Sequence, residues 1–518
     1  MQRREFISAL ASAALPGSWN AGETAHILPT ANDRRMLIKA SFRVKQKSTW
    51  LKVGSRLVAG KQTDKDGRFW AYDADQLQPA RPYELQLLNA AKKQLCDPWT
   101  LKTLPDPSDR PASFRLLVYT CAGGDERLIS RNGGNKGYLT NAQRGALLDR
   151  ALSFQPDAVI ANGDHIYWDL RQSTFPKKYT PEVVAKIGQF VRDQPVLGTP
   201  NEEVLQHVGD QQIASLYGTR MRGLPVFFLQ DDHDYFENDD ADEQMVTYPP
   251  DHFMLQLARA TRRMYYPEFL PDANRPLGLP GAAAADTPIG TAESFGTLRF
   301  GRLSEVLLYD CRRYLTLAGQ NAVVVPREVE SWITRRITDE SVTHTVQLPS
   351  QPPGWSAGKW GDWYPDILAA DGTLTIQKPK PYWQEGWALQ HDRLMKAASD
   401  QRTKVPMFVS GDMHSIAEGR ILKTGKLDLR QNAPVSIIPG PIGTGTSWPS
   451  AARGVRAVPP HHIEMEEKLP CLEENGFTLL EFTSASITAK YFRWRPSAGD
   501  ASIASLAPFL TSQFARPS

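Results

Sequence analysis

PDAVIANGDHIY, residues 156–167, is an apolar run that stops on a glycine and turns at once into Asp164, His165 and Tyr167. A run without polar alternation reads as a strand covered on both faces. The same shape recurs in RLLVYT (115–120), which runs into Cys121-Ala-Gly-Gly, in LPVFFLQDDHD (224–234) and in VPMFVSGDMHS (405–415). Between the first two lies NAQRGALLDRALSF (141–154), an amphipathic stretch with Thr140 placed to cap it. Strands that alternate with helices predict an α/β fold, with the site at the carboxyl ends of the strands. Four apolar strands ending in metal-ligand chemistry define that site.

Each strand end carries its own argument. Asp164, freed by Gly163, has two oxygens with which to bridge ions, and Tyr167 lies close enough to reach the same ion if the loop curls back. A phenolate ligand suits ferric iron better than zinc or magnesium. The alternative is that Asp164 simply caps the turn. In Asp231-Asp232-His233-Asp234 three carboxylates crowd one histidine, which is costly unless a cation neutralises them. A solvated acidic loop is the other reading, since Glu237, Asp239 and Asp240 follow. Asp412 and His414, two apart on an extended segment, are expected on the same side as a chelating pair. Cys121 is either inert packing or a thiolate ligand.

Outward from this core, residues 37–103 carry short alternating runs (LIKASFRV, STWLKVG, RFWAYDAD, YELQLLNA) that read as a small antiparallel sandwich, placed at 34–106. The Pro-rich LPDPSDRPAS (104–113) then joins it to a domain expected over 113–495, followed by a tail at 496–518. Residues 346–380 and 437–450, rich in Pro, Gly and Trp, read as long loops over the site, and 477–494 as a hairpin.

The chain has 518 residues, 41% hydrophobic and 23% charged, enough for a core and against bulk disorder. A net charge of +3 gives no nucleic-acid footprint, and no apolar run approaches the roughly 20 residues of a membrane span. Arg3 and Arg4, then Phe6-Ile7 and small apolar residues to Leu15, have the layout of an export signal over 1–25 and resemble a twin-arginine signal. The expected partner is therefore the twin-arginine machinery, and the expected location the periplasm or outside the cell. If Cys121 is a ligand, Cys96, Cys311 and Cys471 leave room for at most one disulfide.

Taken together, the motifs resemble those of the calcineurin-like metallophosphatases, which read Asp-x-His, Gly-Asp, Asn-His-Glu/Asp and Gly-His-x-His in order. This chain departs from that pattern at all but the second motif. The departures are similar to the alkaline phosphatase D (PhoD-like) branch: a cysteine after the first strand, Gly-Asp-x-Ile-Tyr, Asp-Asp-His-Asp with a nearby Asn (Asn238), and Ser-Gly-Asp-x-His-Ser. Tyr309-Asp310-Cys311-Arg312-Arg313-Tyr314 resembles its Asp-x-Arg-x-Tyr stretch, and Gly386-Trp387 with Arg393-Leu394 its last helix.

That resemblance implies an αββα sandwich with a small N-terminal antiparallel β-sandwich domain. It also implies a mixed site of iron, Fe(3+), and calcium, Ca(2+). By position, Cys121, Asp164, Tyr167 and His414 would hold iron, while Asp164, Asp232 and Asp412 would hold calcium. His233 would be the general acid. The reaction implied is in-line attack on phosphorus by a metal-activated hydroxide, with no enzyme nucleophile, in an alkaline phosphatase serving phosphate scavenging. Arg312 and Arg313, Asn238 and His165 are candidates for contacting substrate. Two other readings stand: a phosphodiesterase for lipid headgroups, wall polymers or nucleic acid, and a non-catalytic envelope-binding protein with structural metals.

Overall fold

The structure, a computed structural model, describes residues 19–128, 137–168, 180–236, 239, 241, 246–282, 284–369, 371–375 and 378–517. Most of the expected export segment and Asn238 lie outside the described residues.

Two sheets stack face to face. The first has six strands, ordered Val226–Leu229, Ala158–Asn162, Ser113–Thr120, Asn475–Thr483, Ser486–Trp494 and Leu510–Ala515. Its first three strands run parallel, and the rest are antiparallel. The second sheet is led by Phe295–Phe300, Ser304–Tyr309, His344–Pro349, Met407–Val409 and Val435–Pro439, and continues through Ile416–Thr424. The pleat explains why the sequence shows unbroken apolar runs. Val159 and Ala161 face the helices Asn141–Leu152, Pro200–Gly209 and His252–Tyr265, whereas Ala158 and Ile160 face Val306, Val346, Val409 and Ile437 of the other sheet. On the far side, Leu307 and Phe408 pack against Trp332 and Trp387 of the helices Arg327–Ile337 and Glu385–Ser399. The layers are therefore helix, sheet, sheet, helix, as the resemblance implied. Thr140 caps the Asn141–Leu152 helix reciprocally with Gln143, as its position suggested.

The N-terminal region forms two four-stranded antiparallel sheets around Ile38, Leu51, Tyr72 and Leu87. Its first strand starts at Thr24, ten residues before the expected boundary. It is tied to the main body by a buried ion pair, Lys39 Nζ to Glu268 Oε1 at 3.0 Å, and by His26 Nε2 against the Tyr265 carbonyl at 3.0 Å. The expected tail is corrected too: Leu510–Ala515 pairs with Ser486–Trp494 and closes the edge of the first sheet. The apolar side of that strand gave a sheet-forming signal too short to separate from a ragged terminus. All four cysteines are buried and free, so no disulfide forms.

The carboxyl ends of both sheets meet. Gly163 N–H donates to the Leu229 carbonyl at 2.8 Å, Cys121 N–H to Gly163 at 3.2 Å, and Gly443 N–H to Cys121 at 2.8 Å. Gly163 has φ +73°, and a Cβ there would stand 2.6 Å from the Asp231 Cβ. Gly163→Ala is therefore expected to cost about 1–3 kcal/mol of strain and overpacking. A thermal melt checks this, with a Tm clearly below the parent's expected.

Candidate metal centre

The loops that follow these strands aim their side chains through an unusual backbone. Cys121, Asp164, Asp412 and His414 sit at φ 48°, 56°, 73° and 44°, the left-handed region that non-glycine residues seldom enter. Such conformations cost on the order of 1–3 kcal/mol each and persist only when the surroundings enforce them. Part of the enforcement comes from Asp234, whose carboxylate accepts the N–H groups of Asp164, His165 and Asp231, each at 2.9 Å. Asp234 is thus the clamp of the third motif and leaves Asp231, Asp232 and His233 to face the site. The turn also overrides the extended geometry expected for Asp412 and His414: the strand ends at Val409, and the two side chains serve different clusters.

One cluster joins Cys121, Asp164, Tyr167 and His414. Ligand atoms of Cys121, Asp164 and His414 all lie within 4.8 Å of one another. The Tyr167 hydroxyl donates to Asp164 Oδ2 at 2.8 Å and lies 3.0 Å from His414 Nε2. His414 Nδ1 meets Thr444 Oγ1 at 2.9 Å, so the Pro- and Gly-rich loop at 437–450 orients the imidazole and leaves Nε2 facing Asp164. The Trp448 ring of the same loop lies tilted against the His414 ring, with centroids 5.5 Å apart. Asp164 and Asp232 form a second group with the half-buried His233, whose ring lies 4.2 Å from that of Tyr167.

The other cluster is made of oxygen ligands and cations. Asp231, Asp232 and Asp412 bring carboxylate oxygens within 4.8 Å. Arg312 binds Asp231 Oδ1 at 2.6 Å, Asp239 Oδ2 at 2.8 Å and Asp412 Oδ2 at 3.3 Å. Lys359 Nζ meets Asp232 Oδ2 at 2.7 Å, Asp239 Oδ1 at 3.3 Å, and Asp412 Oδ1 in a close contact. The loop expected merely to cover the site therefore delivers a lysine into it.

The electrostatics separate the clusters. Burial first, then Asp232, pushes the Asp164 carboxyl well above its usual range, against the opposing pull of Lys359. Burial and Asp164 likewise raise the Cys121 thiol and the Tyr167 phenol. Burial also works against ionising Asp232, yet Lys359, His233 and Arg312 together hold it well below the carboxylate range. Burial and Lys359 lower His414 to about 4, so its imidazole is neutral and able to ligate.

These residues fit a bound metal in the first cluster: a thiol, a phenol, a neutral imidazole and the buried Asp164 Oδ1, which has no hydrogen-bond partner among the described residues. The set expected for a second, oxygen-ligated ion does not assemble in that way. Asp412 is ion-paired through both oxygens to Lys359 and Arg312.

Three of the expected substrate contacts have other partners. His165 is buried, its Nε2 lies 2.7 Å from the Leu229 carbonyl, and its ring packs edge-on against Phe228 and Tyr266. Burial lowers it to about 3, so it is a neutral core histidine. Arg312 is only 3% exposed and engaged by three carboxylates, and Arg313 pairs with Glu293 at 2.6 Å, so neither guanidinium is open to a phosphate. The sequence reading missed Lys359, Thr444 and the role of Asp239. The signal lay in the loops, where a lysine between glycines and tryptophans (Gly358, Trp360, Gly361) is costly to bury without anionic partners.

No family model matches the sequence, and no curated protein matches it. Among solved structures, the chain superposes on that of PhoD with a TM-score of 0.60 at 12% identity, covering 97% of this chain and 92% of that one. The chain therefore shares the fold of that structure. A purple acid phosphatase, PPD1 from yellow lupin (Lupinus luteus) seeds, also superposes, with a TM-score of 0.55 at 10% identity over 96% of this chain and 75% of that one. At such identities the likeness is one of fold, and residue roles rest on the geometry above.

Because Cys121, Tyr167 and Asp164 hold their protons in the absence of a cation, loading must release them and metal competes with H⁺. Affinity is expected to rise with pH, with acidification of a weakly buffered titration. Thr444→Val, which frees the His414 ring, is expected to weaken metal binding by about 10–100-fold. Competition with a chelator of known affinity measures both.

Proposed function

We propose that this chain is a metal-dependent phosphoester hydrolase whose metal is iron held by Cys121, Asp164, Tyr167 and His414. The observation that carries the reading is the convergence of a buried thiol, phenol, carboxylate and imidazole at the joined carboxyl ends of two sheets. A bound metal supplies Lewis-acid charge for the phosphoryl oxygens and activates water for attack on phosphorus.

The chain's own residues do the rest. His233 is half-buried beside Asp164 and Asp232, placed to give a proton to the leaving oxygen. Its ring packs on Tyr167, which limits its rotation. Lys359 and Arg312 hold fixed positive charge behind Asp232 and Asp412, against the charge that gathers on a transferring phosphoryl group. The half-buried Trp448 and the buried residues 437–444 of its loop limit the access of water to the Cys121 side. No serine or cysteine nucleophile is needed: Cys121 is fully buried at the ligand cluster. The same reading includes export through the Arg3-Arg4 segment and a role in phosphate scavenging outside the cytoplasm, with alkaline phosphatase activity and phosphodiesterase activity as the two candidate specificities. The family resemblance implies calcium as a second ion, and Lys359 is ion-paired to Asp232 and Asp412, two of the residues that would hold it.

The test is hydrolysis of p-nitrophenyl phosphate and of its bis ester by purified protein. Turnover is expected, abolished by metal removal and by Asp164→Asn, and the ratio of the two rates sets monoester against diester preference. His233→Ala is expected to lose about 10²–10⁴-fold in kcat while retaining its metal. Unchanged turnover in that variant would remove His233 from the role of acid.

A further inference from the structure

The oxygen-rich half of the centre already contains cations of the chain's own. Of the carboxylate oxygens offered by Asp231, Asp232, Asp239 and Asp412, only Asp231 Oδ2 and Asp232 Oδ1 have neither a hydrogen bond nor an ion pair among the described residues. Calcium takes about six to eight oxygen ligands. The remaining oxygens fall far short of that, and an ammonium is ion-paired to three of the four carboxylates.

Lys359 reaches that position because its loop is built to deliver it. Gly361 N–H donates to Asp239 Oδ2 at 3.2 Å, and Gln351 donates to the Gly361 carbonyl at 2.8 Å. Ser356 Oγ donates to Asp362 Oδ2 at 2.9 Å, and the buried Lys380 donates to the Lys359 carbonyl. The lysine is only 6% exposed, and its ammonium lies 5.8 Å from the centre of the Trp448 ring, within cation–π range. Both ends of the segment are therefore fixed, and the side chain has carboxylates on one side and an aromatic face on the other.

We propose that Lys359, backed by Arg312, is a built-in substitute for the second, oxygen-ligated metal ion. The centre then holds metal at Cys121, Asp164, Tyr167 and His414 and operates without calcium. This rests on the reading of the same site as a metal-dependent phosphoesterase. A lysine supplies one positive charge where a divalent ion supplies two, and Arg312 supplies the other. The pair is permanent: it needs no loading from the surroundings, and it blocks entry of calcium by occupying the oxygens a calcium ion would use.

The test is a calcium titration by calorimetry, repeated with terbium luminescence, in which Trp360 and Trp448 act as nearby sensitisers. It uses the intact chain, Lys359→Met and Lys359→Arg. The parent and Lys359→Arg are expected to bind neither ion in the centre. Lys359→Met is expected to gain one site, tighter by on the order of 100-fold, which Asp232→Asn then removes. If the parent itself binds one calcium ion stoichiometrically and Asp232→Asn abolishes it, the proposal is overturned, and this arm stands even if Lys359→Met does not fold. Turnover of p-nitrophenyl phosphate by the parent, measured with a calcium-selective chelator, is expected to be unchanged, and loss of turnover restored by calcium would overturn the proposal independently. Absence of turnover under every metal condition would sink the hydrolase reading, while the binding titrations would still decide the place of Lys359.

Discussion

Five aspartates, Asp164, Asp231, Asp232, Asp239 and Asp412, lie at the joined strand ends, none more than 4% exposed. Removing a carboxylate from water costs several kcal/mol even after relaxation, and placing several together adds mutual repulsion. No arrangement of apolar packing offsets that. Positive charge has to stand among them, and much of the local architecture answers that requirement. Arg312 bridges three of the five, and Lys359 meets three, sharing Asp239 and Asp412 with it. Asp164 is left to the cluster with Cys121, Tyr167 and His414, where a metal is the natural counter-charge.

The fold makes this crowding possible by bringing two sheets together at one edge. The inter-sheet core runs from Leu116 and Ile160 across to Val346 and Ile437 and packs the two sheets against each other. Backbone hydrogen bonds then tie the loops after Thr120, Asn162, Leu229 and Pro439 to one another. Left-handed conformations at Cys121, Asp164, Asp412 and His414 turn the side chains inward, at a cost that the rest of the molecule sustains. Asp234 shows how one buried carboxylate contributes to that frame without facing the site: it is satisfied by three backbone N–H groups.

Much of this was legible in the sequence, for a physical reason. A parallel strand buried on both faces reads as an uninterrupted apolar run, and a ligand at its end stands out against it, so Cys121, Asp164, Asp232 and His414 could all be singled out. Tyr167 followed from its spacing to Asp164. What the sequence could not show was what the long loops carry in. Lys359 comes from a segment rich in Gly, Pro and Trp with no periodicity, and its partners lie 120 or more residues earlier or about 53 later in the chain. His165 was misread because adjacency to Asp164 says nothing about which side of the backbone a turn sends a side chain. It turned toward Phe228 and Tyr266 instead. Arg312 was misread in a different way: guanidinium suits phosphate and carboxylate alike, and only burial among Asp231, Asp239 and Asp412 distinguishes the two.

The central claim is that the centre divides into a metal half and a half neutralised by side chains. Anomalous diffraction from crystals of the purified protein, collected at the iron edge and in the presence of calcium, tests it most directly. The account predicts a single strong peak bounded by Cys121 Sγ, Asp164, the Tyr167 hydroxyl and His414 Nε2, with Lys359 still paired to Asp232 and Asp412. A metal peak among Asp231, Asp232 and Asp412 with Lys359 displaced, or no ordered metal beside Cys121, would contradict it.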